Sequence, residues 1–136
     1  MHYPNLTIES DNGSWGTLST NNFSGNSDYP RILGNLDIGG SGTQPVDFIN
    51  DDGFATPISV GGNLLVRSGS SLTLGGTNNG CAGFDVQGNV QIDGTLQYNA
   101  ASTGTRLLRF SGGNAQTFSG SGTINLYSLE VNKSAN

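Results

Sequence analysis

The densest group of carboxylates in the chain lies at residues 47–53 and contains Asp47, Asp51 and Asp52. Ca²⁺ is a hard cation that takes several oxygen ligands, so these three side chains are a candidate metal site. The spacing does not match an EF-hand loop, and a solvated acidic loop accounts for the same residues. We therefore predict a loop that bulges from the fold, with Ca²⁺ as its candidate ion and no other cofactor.

Hydrolysis of a polysaccharide would need two carboxylates that face each other. Glycosidases place such groups about 5–9.5 Å apart across the scissile bond. Asp85 and Asp93 lie on consecutive predicted elements, and Arg67 lies one repeat earlier. Isolated charges at outward strand positions explain these residues without catalysis. The sequence therefore predicts no catalytic residue and a protein that is not an enzyme.

Exposed aromatic side chains could stack on sugar rings. Trp15, Tyr29 and Tyr127 are the candidates for such glycan contacts, whereas Tyr98 fits an inward strand position. The single cysteine, Cys81, cannot form an internal disulfide, and the single histidine is His2 near the start of the chain. Because a lone cysteine in a β-rich chain behaves as a small apolar residue, we place Cys81 in the core.

The composition excludes several classes of protein. The 136 residues include 22 Gly and only five Lys and Arg, with a net charge of −5. Nucleic-acid binding needs a basic stripe that displaces counterions, and these residues cannot supply one. Good helix formers are scarce, which argues against a helical bundle. The longest apolar run, residues 64–66, is too short for a transmembrane helix.

Apolar residues alternate with polar ones in short runs, which is typical of half-buried strands. The clearest examples are residues 58–60, 64–66, 72–74 and 90–92. Gly-containing pairs separate these runs and mark turns. Strands this short, with turns this frequent, indicate either a coil of strands or a sandwich.

Internal repetition decides in favour of the coil. A Gly-Asn pair recurs at a nearly constant interval, ending at Asn35, Asn63, Asn89 and Asn114. A period in the twenties with about three strands is typical of a β-solenoid, in which stacked rungs share one apolar column. Aligned Asn side chains could bond from rung to rung, as in stacked cross-β segments. We therefore predict that these four residues form a structural Asn ladder.

The predicted fold is an all-β, parallel β-helix or β-solenoid with about 4–5 rungs of roughly 25–28 residues. Its handedness is expected to be right-handed, from the general preference of parallel crossovers. Residues 1–136 form one domain, with 1–57 less regular and 58–136 in regular rungs. We expect this domain to be a fragment or module of a longer repeat array.

Four segments resemble the repetitive, adhesin-like surface proteins of Bacteroidota. They are YPNLTI at 3–8, GGNLLV at 61–66, SGSSLTL at 68–74 and FSGSGTINLYSLEVNKS at 118–134. Members of that group are secreted β-solenoids that often carry a sorting domain for type IX secretion. The resemblance implies an extracellular or cell-surface location, and it implies no catalytic residues.

Together these observations predict a structural module, serving as a rigid stalk, a spacer or an adhesive segment. The expected partners are neighbouring repeats, copies of the same chain or surface glycans, without nucleic acid or membrane insertion. The alternative is a glycan-binding or glycan-cleaving β-helix that uses the loop at 47–53. A jelly-roll carbohydrate-binding module is a further alternative, and it would have antiparallel strands and no Asn ladder.

Overall fold

The computed structural model describes residues 2–10, 16–19, 31–42, 44–50, 56–76 and 81–133, with the backbone alone for 16–19. Within these ranges the chain is all-β, with sixteen short strands and no helix. Each strand from β1 to β13 pairs in parallel with the strand three positions later in the chain. The protein is thus a parallel β-solenoid, which confirms the predicted fold class.

The strands form three sheets, which we name A, B and C. Sheet A contains β1 (His2–Tyr3), β4 (Arg31–Ile32), β7 (Ile58–Val60), β10 (Gly83–Val86), β13 (Leu107–Phe110) and β16 (Ser128–Val131). Sheet B contains β2 (Leu6–Ile8), β5 (Leu36–Ile38), β8 (Leu64–Val66), β11 (Val90–Ile92) and β14 (Phe118–Ser119). Sheet C contains β3 (Gly16–Ser19), β6 (Val46–Asn50), β9 (Ser71–Leu74), β12 (Thr95–Tyr98) and β15 (Thr123–Ile124). Three consecutive strands form one rung, so the described chain has five rungs and the additional strand β16.

Alternation within each strand sorts the side chains between core and surface. In β8, Leu64 and Val66 are buried, and Leu65 between them is partly exposed. The chain then turns at Gly69, whose φ of +82° favours glycine, before β9 begins. In this rung the sequence therefore specifies both the buried face of the strand and the turn that follows it.

The core is a set of apolar columns that run through the rungs. In sheet C, Phe48 pairs with Leu72 and Leu72 with Leu96, so one inward position is apolar in three successive rungs. Cys81 is fully buried in the same core. The columns also include Ile32, Leu36, Ile38, Ile58, Val60, Leu64, Val66, Leu74, Phe84, Val86, Val90, Ile92 and Leu108.

Rung length varies more than the repeat in the sequence indicated. The step along the chain from Leu6 to its partner Leu36 is much longer than the step from Leu108 to its partner Leu129. Most other steps lie between these two. Because the strands stay in register, the differences are absorbed by the connections between strands and leave the core columns continuous.

The prediction of a bulging loop at 47–53 is wrong for residues 47–50. They belong to β6, in which Val46, Phe48 and Asn50 are buried. Asp47 points outward at an alternate position, and the Asn50 side-chain amide donates to the carbonyl oxygen of Gly83 at 3.3 Å. The density of polar residues hid a strand in which inward and outward residues alternate, although its last inward residue, Asn50, is polar. Residues 51–53 lie outside the described part of the chain.

Candidate functional sites

Asn side chains link successive rungs at the corner before sheet B. The Oδ1 atom of Asn35 accepts a hydrogen bond from the backbone N–H of Asn63, and Oδ1 of Asn63 accepts one from Asn89, both at 2.8 Å. Asn5 Oδ1 accepts the N–H of Asn35 at the same distance. The ladder therefore joins one Asn side chain to the backbone of the next rung at each step.

The ladder differs from the sequence prediction at both ends. Asn89 Oδ1 accepts the N–H of Thr117 at 2.9 Å, and Asn114, predicted as the fourth member, is an exposed residue outside this series. The reason is the register, because β11 aligns Val90 with Phe118, which places Thr117 at the corner position and leaves Asn114 before it. Asn5 was missed because Pro4 precedes it, where the next three rungs have glycine.

Close stacking of the corners requires glycine in the first three Gly-Asn pairs, at Gly34, Gly62 and Gly88. A Cβ atom on Gly62 would lie 2.8 Å from the carbonyl carbon of Gly34, and one on Gly88 would lie 2.5 Å from the carbonyl group of Gly62. Real Cβ atoms do not approach backbone atoms so closely, so a side chain would push the corners apart. These glycines therefore serve rung stacking, and positive φ is not their role.

The predicted Ca²⁺ residues are only partly described. Asp47 accepts a hydrogen bond from Ser71 Oγ at 2.6 Å, so this carboxylate bridges two rungs of sheet C. Asp51 and Asp52 lie outside the described residues. In the part of the chain that the structure describes, no group of three or more His, Cys, Asp or Glu side chains could hold a metal ion.

Of the predicted sugar-stacking residues, Tyr127 is described, whereas Trp15 and Tyr29 lie outside the described ranges. The Tyr127 ring is covered on one face by the guanidinium of Arg106, whose carbon is 3.7 Å from the ring centroid. Tyr98, expected in the core, is partly buried and packs against Tyr127 with the ring centroids 5.6 Å apart and the ring planes tilted by 56°. The two rings and the cation thus pack on one another across neighbouring rungs.

Arg106 was not singled out from the sequence. It is 6% exposed, with a φ of +46°, and its Nη1 atom donates to the carbonyl oxygens of Asn99 and Ser102 at 3.2 and 2.6 Å. These bonds close the irregular connection between β12 and β13. No local pattern in the sequence marks an arginine for this role.

The charged residues considered for catalysis have separate partners. Asp85 accepts a hydrogen bond from Ser111 Oγ and lies 3.6 Å from Arg109, on the outer face of sheet A. Asp93 follows β11 in sheet B and accepts bonds from the Gln91 side chain and the Ser121 backbone, at 2.6 and 3.2 Å. Each carboxylate is therefore engaged by neighbours of its own.

Hydrogen bonds and ion pairs shift the pKa of three outer-face groups. The bond from the Gln91 amide, then that from the Ser121 N–H, holds the pKa of Asp93 below its usual value. The bond to Asp37 raises the pKa of Arg67, and the bond to Glu130 raises that of Arg109. All three shifts favour the charged form, which suits structural ion pairs.

A polar depression lies on the outer face of sheet B across the first three rungs. Its volume is about 570 Å³, and its lining includes Thr7, Glu9, Asp37, Ser41 and Arg67. Arg67 binds Asp37 through two hydrogen bonds of 2.9 and 2.6 Å, and Glu9 accepts from both the N–H and the hydroxyl of Ser41. The depression thus presents carboxylate and hydroxyl groups to solvent.

The C-terminal end of the stack is apolar and open. The inward residues of the last strands are between 38% and 68% exposed, in contrast to the buried residues one rung earlier; they are Phe118, Ile124, Leu129 and Val131. A cavity of about 240 Å³ opens between β14 and β16, lined by Phe110, Gln116, Phe118, Leu129, Val131 and Lys133. Lys133 Nζ donates to Gln116 Oε1 and to the Asn114 carbonyl at its margin. The core columns therefore reach the surface here.

Comparison with known proteins adds no family to this description. No protein-family model matches the chain, and neither curated proteins nor solved structures show a significant match. No helix among the described residues has the length and apolar character needed to cross a membrane.

Proposed function

We propose that this domain is a rigid structural module of an extracellular, adhesin-like surface protein, acting as a stalk or spacer segment. The observation that carries the proposal is the rung-to-rung Asn series from Asn5 to Thr117, beside continuous core columns. Such a stack resists local opening because each rung is held by its neighbours on both sides. Its partners would be neighbouring repeats or further copies.

The outer faces suit this role. Among the described residues, two groups of outward charges form ion pairs along the stack: Arg67 pairs with Asp37 at 2.6 Å, and Arg109 pairs with Asp85 and Glu130 at 3.6 and 3.1 Å. The net charge of −5 favours solubility in an exposed location. The resemblance to Bacteroidota surface proteins supports the extracellular assignment, including export by the type IX route.

Two measurements test the proposal. Digestion with a protease of broad specificity should leave a core spanning the described rungs; trypsin is unsuitable because the chain has only five Lys and Arg. Antibodies against the domain should label intact cells of the source organism. Labelling that appears only after permeabilisation contradicts the surface location, and rapid cleavage within rungs contradicts the rigid module.

Glycan binding is the second candidate, and the polar depression around Asp37 and Arg67 is the observation that favours it. A glycan array with the intact domain should then show a ligand that is lost in Asp37→Ala and kept in Asp47→Ala. Release of reducing ends from a polysaccharide panel would point to cleavage. The spacer function predicts neither result.

A further inference from the structure

Among the described residues, no strand pairs with the outer edge of the last strand in any of the three sheets. Strands β14, β15 and β16 are the last members of their sheets among the described residues. The N–H of Asn132 donates to the Phe110 carbonyl at 2.8 Å. Because alternate residues of a parallel strand direct their backbone groups to opposite sides, Val131 directs its N–H and C=O to the open edge. This edge presents free backbone groups beside the exposed apolar ends of the core columns.

The N-terminal edge has the complementary arrangement. Strands β1, β2 and β3 are the first members of the same three sheets. The N–H of Leu6 donates to the Asn35 carbonyl at 2.9 Å, so Thr7 directs its backbone groups away from the second rung. The two ends of the described stack therefore carry parallel edges of the same order and direction.

We propose that the C-terminal edge of one chain binds the N-terminal edge of a second copy, head to tail. Sheet A has one strand more than sheets B and C, so the C-terminal end is stepped. The sheets continue without a gap only if β14 and β15 meet β2 and β3 of the second copy. Strand β16 then takes the place of that copy's β1 and pairs with its β4.

Side chains match in this register. Within one chain, His2 aligns with Arg31 and Tyr3 with Ile32. In the assembly, Glu130 and Val131 occupy the positions of His2 and Tyr3. A carboxylate then lies beside Arg31 of the second copy, and an apolar side chain covers its Ile32.

The outer column of sheet A supports the same partner. Asp85 aligns with Arg109, and Arg109 aligns with Glu130, which ends the column at the C-terminal edge. Arg31 of the second copy would be the next charge, so the alternation of acid and base continues across the contact. In sheet B, Phe118 would meet Leu6, an apolar residue that is partly buried in the isolated chain.

Head-to-tail contacts of this kind leave one free end at each side, so they build open filaments rather than closed dimers. The inference concerns the strand edges alone. It stands whether or not the domain belongs to a cell-surface protein.

Two edge-blocked variants test it. Thr7→Pro removes an N–H at the N-terminal edge, and Val131→Pro removes one at the C-terminal edge. Both N–H groups point to the open edges, so neither substitution removes a hydrogen bond between the strands of one chain. By light scattering, the unmodified chain should form particles that grow with concentration from the 14.0 kDa monomer. Each variant alone should associate at least about tenfold more weakly. Their equimolar mixture should form a heterodimer and nothing larger.

Matched controls keep the N–H group. Thr7→Val and Val131→Thr should assemble like the unmodified chain, and circular dichroism and thermal unfolding should show that all four variants keep the fold. A chain that stays monomeric at every accessible concentration overturns the proposal. Dimers of Thr7→Pro alone overturn it as well, since they would show two C-terminal edges meeting each other.

Hydrogen exchange distinguishes the stepped register, in which β16 replaces β1 of the second copy, from end-to-end stacking in which β1 stays paired with β4. The Leu33 N–H donates to the Tyr3 carbonyl in the isolated chain, at 2.7 Å. In the assembly it should stay protected by Val131 of the neighbouring copy, while the amide of Tyr3 loses protection. Retained protection of β1 in the filament contradicts the exchange of strands.

Discussion

Asn63 shows how one residue can hold two rungs together. Its backbone N–H donates to Asn35, and its side chain accepts from Asn89. Asn63→Ala should lower the free energy of unfolding by about 1 kcal/mol, because the N–H of Asn89 loses its partner. Denaturant unfolding measures this loss.

Asn114 supplies the matched control for that substitution. It follows a glycine like the ladder residues, but it lies outside the series and is exposed. Asn114→Ala should leave the free energy of unfolding unchanged within about 0.5 kcal/mol. If the two substitutions lowered the free energy of unfolding equally, the structural role assigned to the Asn ladder would be contradicted.

Asp93 makes stability depend on acidity. Its pKa is lowered in the folded chain, first by the Gln91 amide and then by the Ser121 N–H. A group with a depressed folded pKa stabilises the fold above its unfolded pKa, and the contribution disappears as pH falls through the folded value. Unfolding free energy should therefore decrease with acidification in this range.

The variant Asp93→Asn isolates this contribution. It should show a shallower decrease in stability on acidification than the unmodified chain, measured by urea unfolding over the acidic range. The carboxyl resonance of Asp93 in NMR should titrate below the value of a model peptide. A resonance that titrates at or above the model value would contradict the assignment.

At the scale of the strand, the core columns carry the stability. Leu72 is fully buried between Phe48 and Leu96 in adjacent rungs. Leu72→Ala leaves a cavity that the paired strands cannot close, and we expect a loss of about 2–5 kcal/mol in unfolding free energy. Leu33, which is 56% exposed, is the control, and Leu33→Ala should cost less than about 0.5 kcal/mol.

Strand β6 shows why local composition misleads in this protein. Its sequence, VDFIN, sits beside two further aspartates, and this cluster indicated an acidic loop. Pairing with β3 and β9 on both sides provides backbone bonds that override the polar neighbourhood. The alternation of Val46, Phe48 and Asn50 was the better signal.

At the scale of the whole molecule, stability should decrease toward the open end. An inner rung opens only when two interfaces are lost, whereas the last rung opens by losing one. Hydrogen exchange should therefore be faster for the Thr123 amide, bonded to Gly94, than for the Thr95 amide, bonded to Ser70. Both bonds are 2.9 Å long, so the comparison isolates position in the stack.

Uniform exchange along the chain would indicate a single cooperative unit instead. Assembly through the proposed end contact should slow exchange at Thr123 and leave Thr95 unchanged. The same measurement on Val131→Pro should show no such slowing, because that edge is blocked.

The sequence by itself determined the solenoid class, since period-two alternation and a repeat in the twenties are local properties of the chain. It also identified Asn35, Asn63 and Asn89, because each follows a glycine at a regular interval. Only the tertiary structure assigned Asn5 and Thr117 to the ends of their series, because rung lengths vary and each pairing joins residues that are distant in the chain. The apolar C-terminal end was likewise decided by stacking. Leu108 and Leu129 occupy equivalent inward positions, but Leu108 is covered by strand β16, whereas no further described strand covers Leu129.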